Sequence, residues 1–548
     1  MKRTKLTKIA LFLLALVMLF GLVAGCGTDN NSPSTPPSNA VDTPKSSDNG
    51  ADTEDPDAYV YRMPIAEGEE ITIWRGWEST YLTDPNEALA NIELEKRTGV
   101  KAVYNCVSTA SQGEQFNLLI ASQVYPDLIF ASSFKSFIGG IDKAIEDDVV
   151  LRINEYIDKW APEYKARMDG DIEVYRQSVT DAGNMAGFTC IQEGEESAWL
   201  GPVTRYDWLA DMGKTANDIV TYDDWHEMLT YYKDVKNAIQ PLQMTATGFE
   251  NTGYSFGVCS TFYNENGTVK HGVLDVSFKD YIARMNQWFS EGLIHRDFTT
   301  NTAWYMSTPN VLNGEIGVLV SISNFIANMN FASEDPAFNV GAIPIPVVNR
   351  GDVGHFRRVN FIVGDHFVAV TPTAQSSDSH LETVIRWMDY RYSEEGSLLL
   401  MYGIEGTSYN IGSDGKPVFS DLVLHDAEGL APADAMTLYA ESSGHGVYYR
   451  WIRNWGFFDN TMLENFEIWD RADGAYVMPN TTLTSAEGDA FSAKYQDIDT
   501  LIQERLPRFI IGEIPMSDWD AFISQIESMG IAECISYQQT ALDRYFQR

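Results

Sequence analysis

The stretch "ITIWRGW" (Ile71–Trp77), followed by "VKAVYNCV" (Val100–Val107) and "DLIFA" (Asp127–Ala131), decides the fold class of this chain. The first two are rich in β-branched and aromatic residues, and the third is a short apolar run of the kind buried on both faces of a sheet. A helical pattern lies in each gap. One covers Asn86 to Lys96 and ends at Gly99, which suits a helix C-cap; the other is "EQFNLLIASQVYPD" (Glu114–Asp127). Strand, helix, strand, helix, strand predicts a parallel sheet with crossover helices, so the fold class is α/β.

Working outward, the pattern turns more helical. "VTYDDWHEMLTYYKDV" has Thr221 and Asp224 at N-cap and N3 spacing, with Trp225, Met228, Leu229 and Tyr232 on one face. "SFKDYIARMNQWFSEGLI" repeats the arrangement with Ser277 as cap and Gly292 as stop. "EIGVLVSIS", "FNVGAIPIP" and "FIVGDHFVAV" read as buried strands, and "HLETVIRWMDYRYSEEGSLLLMYG" as one long helix. A final pair of helices is expected in "SAKYQDIDTLIQERLPRFIIG" and in the tail from Met516 to Arg548. No internal repeat is visible.

Upstream, Lys2, Arg3, Lys5 and Lys8 form a basic n-region and Ile9 to Phe20 an apolar h-region, with small residues before Cys26. Together they describe an export signal too short for an ordinary membrane-spanning helix. The stretch from Thr28 to Asp57 is Ser-, Pro-, Asn- and Asp-rich with little to bury, which predicts a disordered tether. The formal net charge is −38, or about −42 once the four leader cations are discounted. Such a chain repels phosphate backbones and anionic headgroups, so nucleic acid is not an expected partner. The remaining cysteines, Cys106, Cys190, Cys259 and Cys534, are far apart and form no CxxC or Cys/His cluster. No zinc site or redox pair is therefore predicted, and mostly buried free thiols are expected. "YNENGTVKHG" lacks the leading Asp and closing Glu of a calcium loop and reads as a turn, as does Asp414-Gly415. No metal or cofactor is expected.

The ending Val23-Ala24-Gly25-Cys26 resembles the bacterial lipobox, whose cysteine is diacylated. With it, "PDLIFA", "TRYDWLADMG", "YIARMNQWFSEGLIHRDF", "YGIEGTSYNI" and "FIIGEIPMSDWDAFISQIESMGI" stand in an order that resembles the extracellular solute-binding lipoproteins of bacterial carbohydrate ATP-binding-cassette importers. The resemblance implies a periplasmic-binding-protein-like fold of two α/β lobes, joined by hinge crossings and closing on a sugar. It divides the chain into a signal peptide (1–25), a tether (26–58), an N-lobe from 59–190 and 365–405, and a C-lobe from 191–364 and 406–548. The expected partners are an oligosaccharide, the membrane permease subunits of the importer, and the membrane through the lipid on Cys26 only. The protein is then a monomer on the outer face of the cytoplasmic membrane, and not an enzyme.

A sugar offers a C–H face for aromatic rings and a rim of hydroxyls for carboxylates, amides and guanidinium groups. The 13 Trp and 27 Tyr supply rings, so position must choose among them. Ligands of α/β sheets sit beyond the carboxyl ends of strands. Trp74, Arg75 and Trp77 end the first strand, although Trp74 also fits the core, and Ser132 and Ser133 follow "DLIFA". Trp199 stands in the polar loop "EGEESAWLGP", Trp304 in "TTNTAWYMSTPN", and Ser323 just after "EIGVLV". Arg205 and Asp207 in "TRYDWL" are candidate contacts or a structural ion pair. Glu405, with Tyr409 nearby, suits a hydroxyl acceptor or a hinge-fixing role, and Trp455 lies in the aromatic "GVYYRWIRNWGF". Trp160, Trp225, Trp288, Trp387 and Trp519 fall on helical faces and are expected in the core. The acidic charge argues against a polyanionic glycan, with Arg75, Arg205 and Arg453 as the local counterweight.

Two rival readings fit less well. A glycoside hydrolase needs two carboxyls with split protonation about 5 to 10 Å apart, which no sequence displays. An adhesin usually shows repeats or sandwich spacing, and neither is present.

Overall fold

A computed structural model describes residues 63–548 except 132–133, 135–136, 138, 194–199, 245–255, 301–307, 358–362, 414, 442–444 and 451–459. Cys26, the leader and the tether lie outside the described residues. The strands are β1 (Glu69–Gly76), β2 (Val100–Val107), β3 (Leu128–Phe130), β4 (Gly187–Gln192), β5 (Leu200–Arg205), β6 (Gln240–Leu242) and β7 (Phe262–Glu265). They continue with β8 (Thr268–His271), β9 (Ile316–Ile322), β10 (Val340–Ala342), β11 (Val363–Val370), β12 (Tyr409–Ile411), β13 (Pro417–Phe419) and β14 (Tyr448–Tyr449).

Two sheets organise two lobes. The first has the order β14-β4-β11-β3-β1-β2, the second β10-β5-β9-β6. In the first, β1, β2 and β3 are parallel, with helices Leu89–Thr98 and Gln112–Ser122 in the crossovers. Side chains alternate with period two. Ile71, Ile73, Leu128, Phe130, Val368 and Val370 face one core, and Trp74, Ile129, Phe367 and Ala369 face the other. The second sheet is covered by the helices Tyr222–Asp234, Val276–Ser290 and Ser485–Ile510, which form a separate core around Trp225, Trp288 and Ile502. Trp160, Trp387 and Trp519 are buried as well.

Local chemistry explains many boundaries. Gly99 ends its helix in the left-handed region at φ 73°. Thr221 and Asp224 form a reciprocal capping box. Asn266 and Gly267, both at positive φ, make the tight turn of the β7–β8 hairpin, and the Asn264 side chain accepts from the Gly267 N–H at 2.7 Å. The β12–β13 hairpin turns at Gly415, φ 78°. Cys190, Cys259 and Cys534 are buried free thiols, and Cys106 is exposed.

Three expectations are corrected. The long helix from His380 is two, Asp378–Tyr390 and Glu394–Tyr402, because Ser393 caps the second by accepting from the Gly396 N–H while Arg391 turns into the core. The tail has an extra break at Gly530, φ 97°, between helices Trp519–Ser528 and Ile531–Tyr545. The first lobe continues past the boundary expected at 405/406, because β14 still pairs with β4 in its sheet, and the difference exceeds the usual error of boundary reading. Residues 409–447 stay in the first lobe because Tyr409, Phe419, Met436 and Val447 fill its core, and Leu89 and Ala90 donate to the carbonyls of Leu438 and Tyr439.

At the amino-terminal edge of the first sheet, His380 bridges Glu69 and Asp127, each at 3.1 Å. Burial pulls the imidazole down, but the hydrogen bonds to the two carboxylates outweigh it and hold His380 above its ordinary value. A raised folded value stabilises the protein fully below the unfolded value of about 6.5, and the gain is lost as pH rises through the folded one. Calorimetric melting should therefore show wild type losing stability from pH 6.5 upward more steeply than His380→Gln. Parallel profiles would refute this role.

Candidate functional site

Strand direction decides which edge of each sheet can meet a ligand. In the first sheet β1, β3, β4 and β14 all point one way and β11 runs against them. The chain leaves this sheet after β4, returns at the start of β11 and leaves again after β14, and all three of these strand ends lie at the edge where β1 ends. In the second sheet β5 begins at the matching edge, paired there with the end of β9 through Leu200 and Ile322. The space beyond the carboxyl end of β1 is thus where the lobes connect, as the general rule for open α/β sheets requires.

A cavity of about 470 Å³ opens at that place. Arg75 and Trp77 form the end of β1, and the following loop contributes Glu78, Ser79, Thr80, Tyr81 and Leu82. Pro85, Ala88 and Asn91 close one wall, and Asp434, Thr437, Ala440 and Glu441 the other. The Trp77 backbone is fixed by its N–H to the Val107 carbonyl at 2.9 Å, which leaves the half-buried indole on the cavity wall. Glu78 accepts from Ser108 and Thr109, and those bonds hold its carboxyl below its ordinary value. Burial raises the Asp434 carboxyl, and burial with Asp434 and Asp426 nearby raises the Tyr81 phenol.

Behind this wall lies a buried ion cluster. Glu441 accepts from Arg75 at 3.2 Å and from Arg391 at 2.7 Å, and all three are under 5 % exposed. Arg391 also donates to the carbonyls of Gly446 and His445, at 2.8 and 3.0 Å. The Phe130 ring sits between the two guanidiniums, 5.6 Å from each. Burial, with His366 and the two arginines alongside, pushes His445 well below its ordinary value, so its ring is neutral.

The candidates named from sequence are scattered by this geometry. Trp77 lines the cavity, and Ser323 begins the helix that follows β9 at the connecting edge of the second sheet. Trp74 points to the opposite face from Ile73 and packs against Phe116 at 6.1 Å, so it is a core residue. Arg205 and Asp207 lie at the far end of β5, away from the passages, where the guanidinium donates twice to Asp207 and stacks over Trp208 and Phe338. Tyr409 is buried against Tyr402, and Glu405 is an exposed turn residue in the first lobe, so neither reaches the cavity wall. Ser132, Trp199, Trp304 and Trp455 lie outside the described residues.

Sequence reasoning missed Tyr81, Asp434 and Glu441. The loop after a strand end was a usable signal for Tyr81. Nothing local marks Asp434 or Glu441, because only the late return of the chain to the first lobe brings them to β1. Among the described residues no group of three or more His, Cys, Asp or Glu side chains is placed to hold a metal.

The architecture is that of the two-lobed solute-binding proteins of ATP-binding-cassette importers. The structure matches that of the alginate-binding protein AlgQ2 with a TM-score of 0.71 at 21 % identity, over 87 % of this chain and 99 % of that one. Against the Streptococcus pneumoniae substrate-binding protein FusA in complex with kestose the TM-score is 0.69 at 18 % identity, over 87 % and 100 %. In sequence the chain is 22 % identical to lipoprotein LipO of Bacillus subtilis over 444 residues, which is 78 % of this chain and 83 % of the relative. It is 21 % identical to the fructooligosaccharide substrate-binding protein FusA over 525 residues, 88 % and 92 %. No protein-family model matches the chain.

Neutralising Glu441 leaves two guanidiniums buried without their shared counter-ion. Glu441→Gln should lower the unfolding free energy by about 3–5 kcal/mol, the cost of breaking a buried ion pair from one side. Urea denaturation followed by circular dichroism measures it. A loss no larger than that of an ordinary surface substitution would show that the cluster does not hold the cavity wall.

Proposed function

We propose that this protein is a lipid-anchored receptor that captures an oligosaccharide between its lobes and delivers it to the permease subunits of an ATP-binding-cassette importer. The observation that carries the reading is the cavity at the end of β1. It combines Trp77 and Tyr81 rings with Glu78 and Asp434 carboxylates and the hydroxyls of Ser79, Thr80 and Thr437, at the edge through which the lobes connect. Rings cover the C–H face of a sugar and carboxylates accept from its hydroxyls. Ser323 and the segments carrying Trp199, Trp304 and Trp455 are proposed to meet the ligand from the connecting side, and Ser132 from the end of β3. FusA is a substrate-binding protein and LipO a lipoprotein, which supports an extracellular, membrane-anchored site of action. In this reading Cys26 carries the lipid, 26–58 is the tether, and the body works as a monomer.

Hydrolysis is the second reading, because hydroxyl donors hold the Glu78 carboxyl below its ordinary value while burial raises that of Asp434, the split a hydrolase uses. Calorimetry against a panel of oligosaccharides, followed by a reducing-end assay on each ligand, separates the readings: binding without turnover supports the receptor, and released reducing ends support the hydrolase. Mass spectrometry of the mature amino terminus tests the anchor, with an unmodified Cys26 as the outcome that removes it.

Trp77→Ala should weaken binding of the best panel member by about 1–3 kcal/mol, the scale for one large apolar face removed from water. Because Trp77 is only half-buried, melting temperature should barely move. Unchanged affinity would take Trp77 out of the site.

A further inference from the structure

Resting on the carbohydrate reading above, we infer that the cavity at the end of β1 takes an uncharged sugar unit and rejects uronates. Three carboxylates line it, Glu78, Asp434 and Glu441, against one guanidinium among the described lining residues, Arg75. Arg75 is 3 % exposed and donates to Glu441, so the one lining guanidinium is already engaged by a lining carboxylate. Arg391 stands behind Glu441, fully buried, with its donors directed to Glu441 and to the carbonyls of His445 and Gly446. Counting both arginines, the surroundings of the cavity remain negative on balance.

Arg205 supplies no counter-charge here, being committed to Asp207 at the far end of the second sheet. A sugar carboxylate placed at the Trp77 and Tyr81 rings would face Glu78 and Asp434. Sugar hydroxyls in the same place donate to them. The difference is one of sign: the lining offers acceptors to a ligand that brings donors, and repulsion to a ligand that brings negative charge. This separates the chain from its structural neighbour AlgQ2, named for alginate, although the folds superpose.

The test uses the full-length chain in detergent and isothermal calorimetry with matched trisaccharides: mannotriose, galactotriose and kestose as neutral probes, trimannuronate and trigalacturonate as acidic ones. At least one neutral probe should bind, with both uronates at least tenfold weaker. Raising salt should narrow that gap by improving the uronates alone, because it screens the repulsion. Glu78→Gln and Asp434→Asn, made separately so that a folding failure in one leaves the other, should each improve uronate affinity relative to the neutral probe. A uronate that binds as tightly as its neutral counterpart overturns the inference and leaves the carbohydrate function standing. If no probe of either kind binds, the carbohydrate reading falls, and this inference with it.

Discussion

Glu441 between Arg75 and Arg391 is the interaction on which the arrangement of the first lobe depends. The three residues come from the end of β1, the turn after helix Asp378–Tyr390, and the segment leading into β14. Those are distant in sequence and are held together by one carboxylate. Replacing such a cluster with apolar residues is often neutral or stabilising, so its value here lies in position more than in net stability. It fixes the wall that carries Asp434, Thr437 and Glu441 against β1, and through the Gly446 and His445 carbonyls it fixes the start of β14. The strand that begins the last passage is therefore braced by the same guanidinium that braces the cavity.

Two glycines of the first lobe sit where no side chain would fit. A Cβ on Gly446 would lie 2.5 Å from Met388 Cε and 2.8 Å from Val368 Cγ2. At Gly187 it would lie 2.0 Å from the Val368 carbonyl oxygen, inside the β4–β11 pairing. Both glycines let backbone pack directly on β11, the strand through which the chain returns from the second lobe.

The α/β class, the crossover helices and the helical core tryptophans were legible because they rest on local periodicity and caps. Thr221 with Asp224 and Gly99 carry their meaning within a single turn of chain. What was not legible rests on contacts between segments far apart. Trp74 and Trp77 are three residues apart in one strand end, and which of them is core depends on Phe116 across the crossover. Arg205 and Asp207 follow a strand just as Trp77 does, yet β5 enters the second lobe from the connecting edge, so its carboxyl end faces away. The rule that ligands gather at carboxyl ends fails for a strand whose sheet is entered from that edge and runs against its neighbours. The detour of 409–447 through the first lobe was hidden for the same reason: Tyr409 and Phe419 look like any aromatic pair until Tyr402 is known to lie between them.

A second connection between the lobes constrains how they move. Helix Ile531–Tyr545 is rooted in the second core through Ile531 and Cys534, and its last turn reaches the first lobe. There Arg544 and Arg548 both pair with Asp181, Arg548 donates to the Val179 carbonyl at 2.8 Å, and the Tyr545 hydroxyl donates to Glu173 at 2.8 Å. Arg544 also holds Glu487 at the start of helix Ser485–Ile510, so both lobes meet in one network. These groups are largely shielded from solvent, and separating them would leave Asp181 with two lost partners.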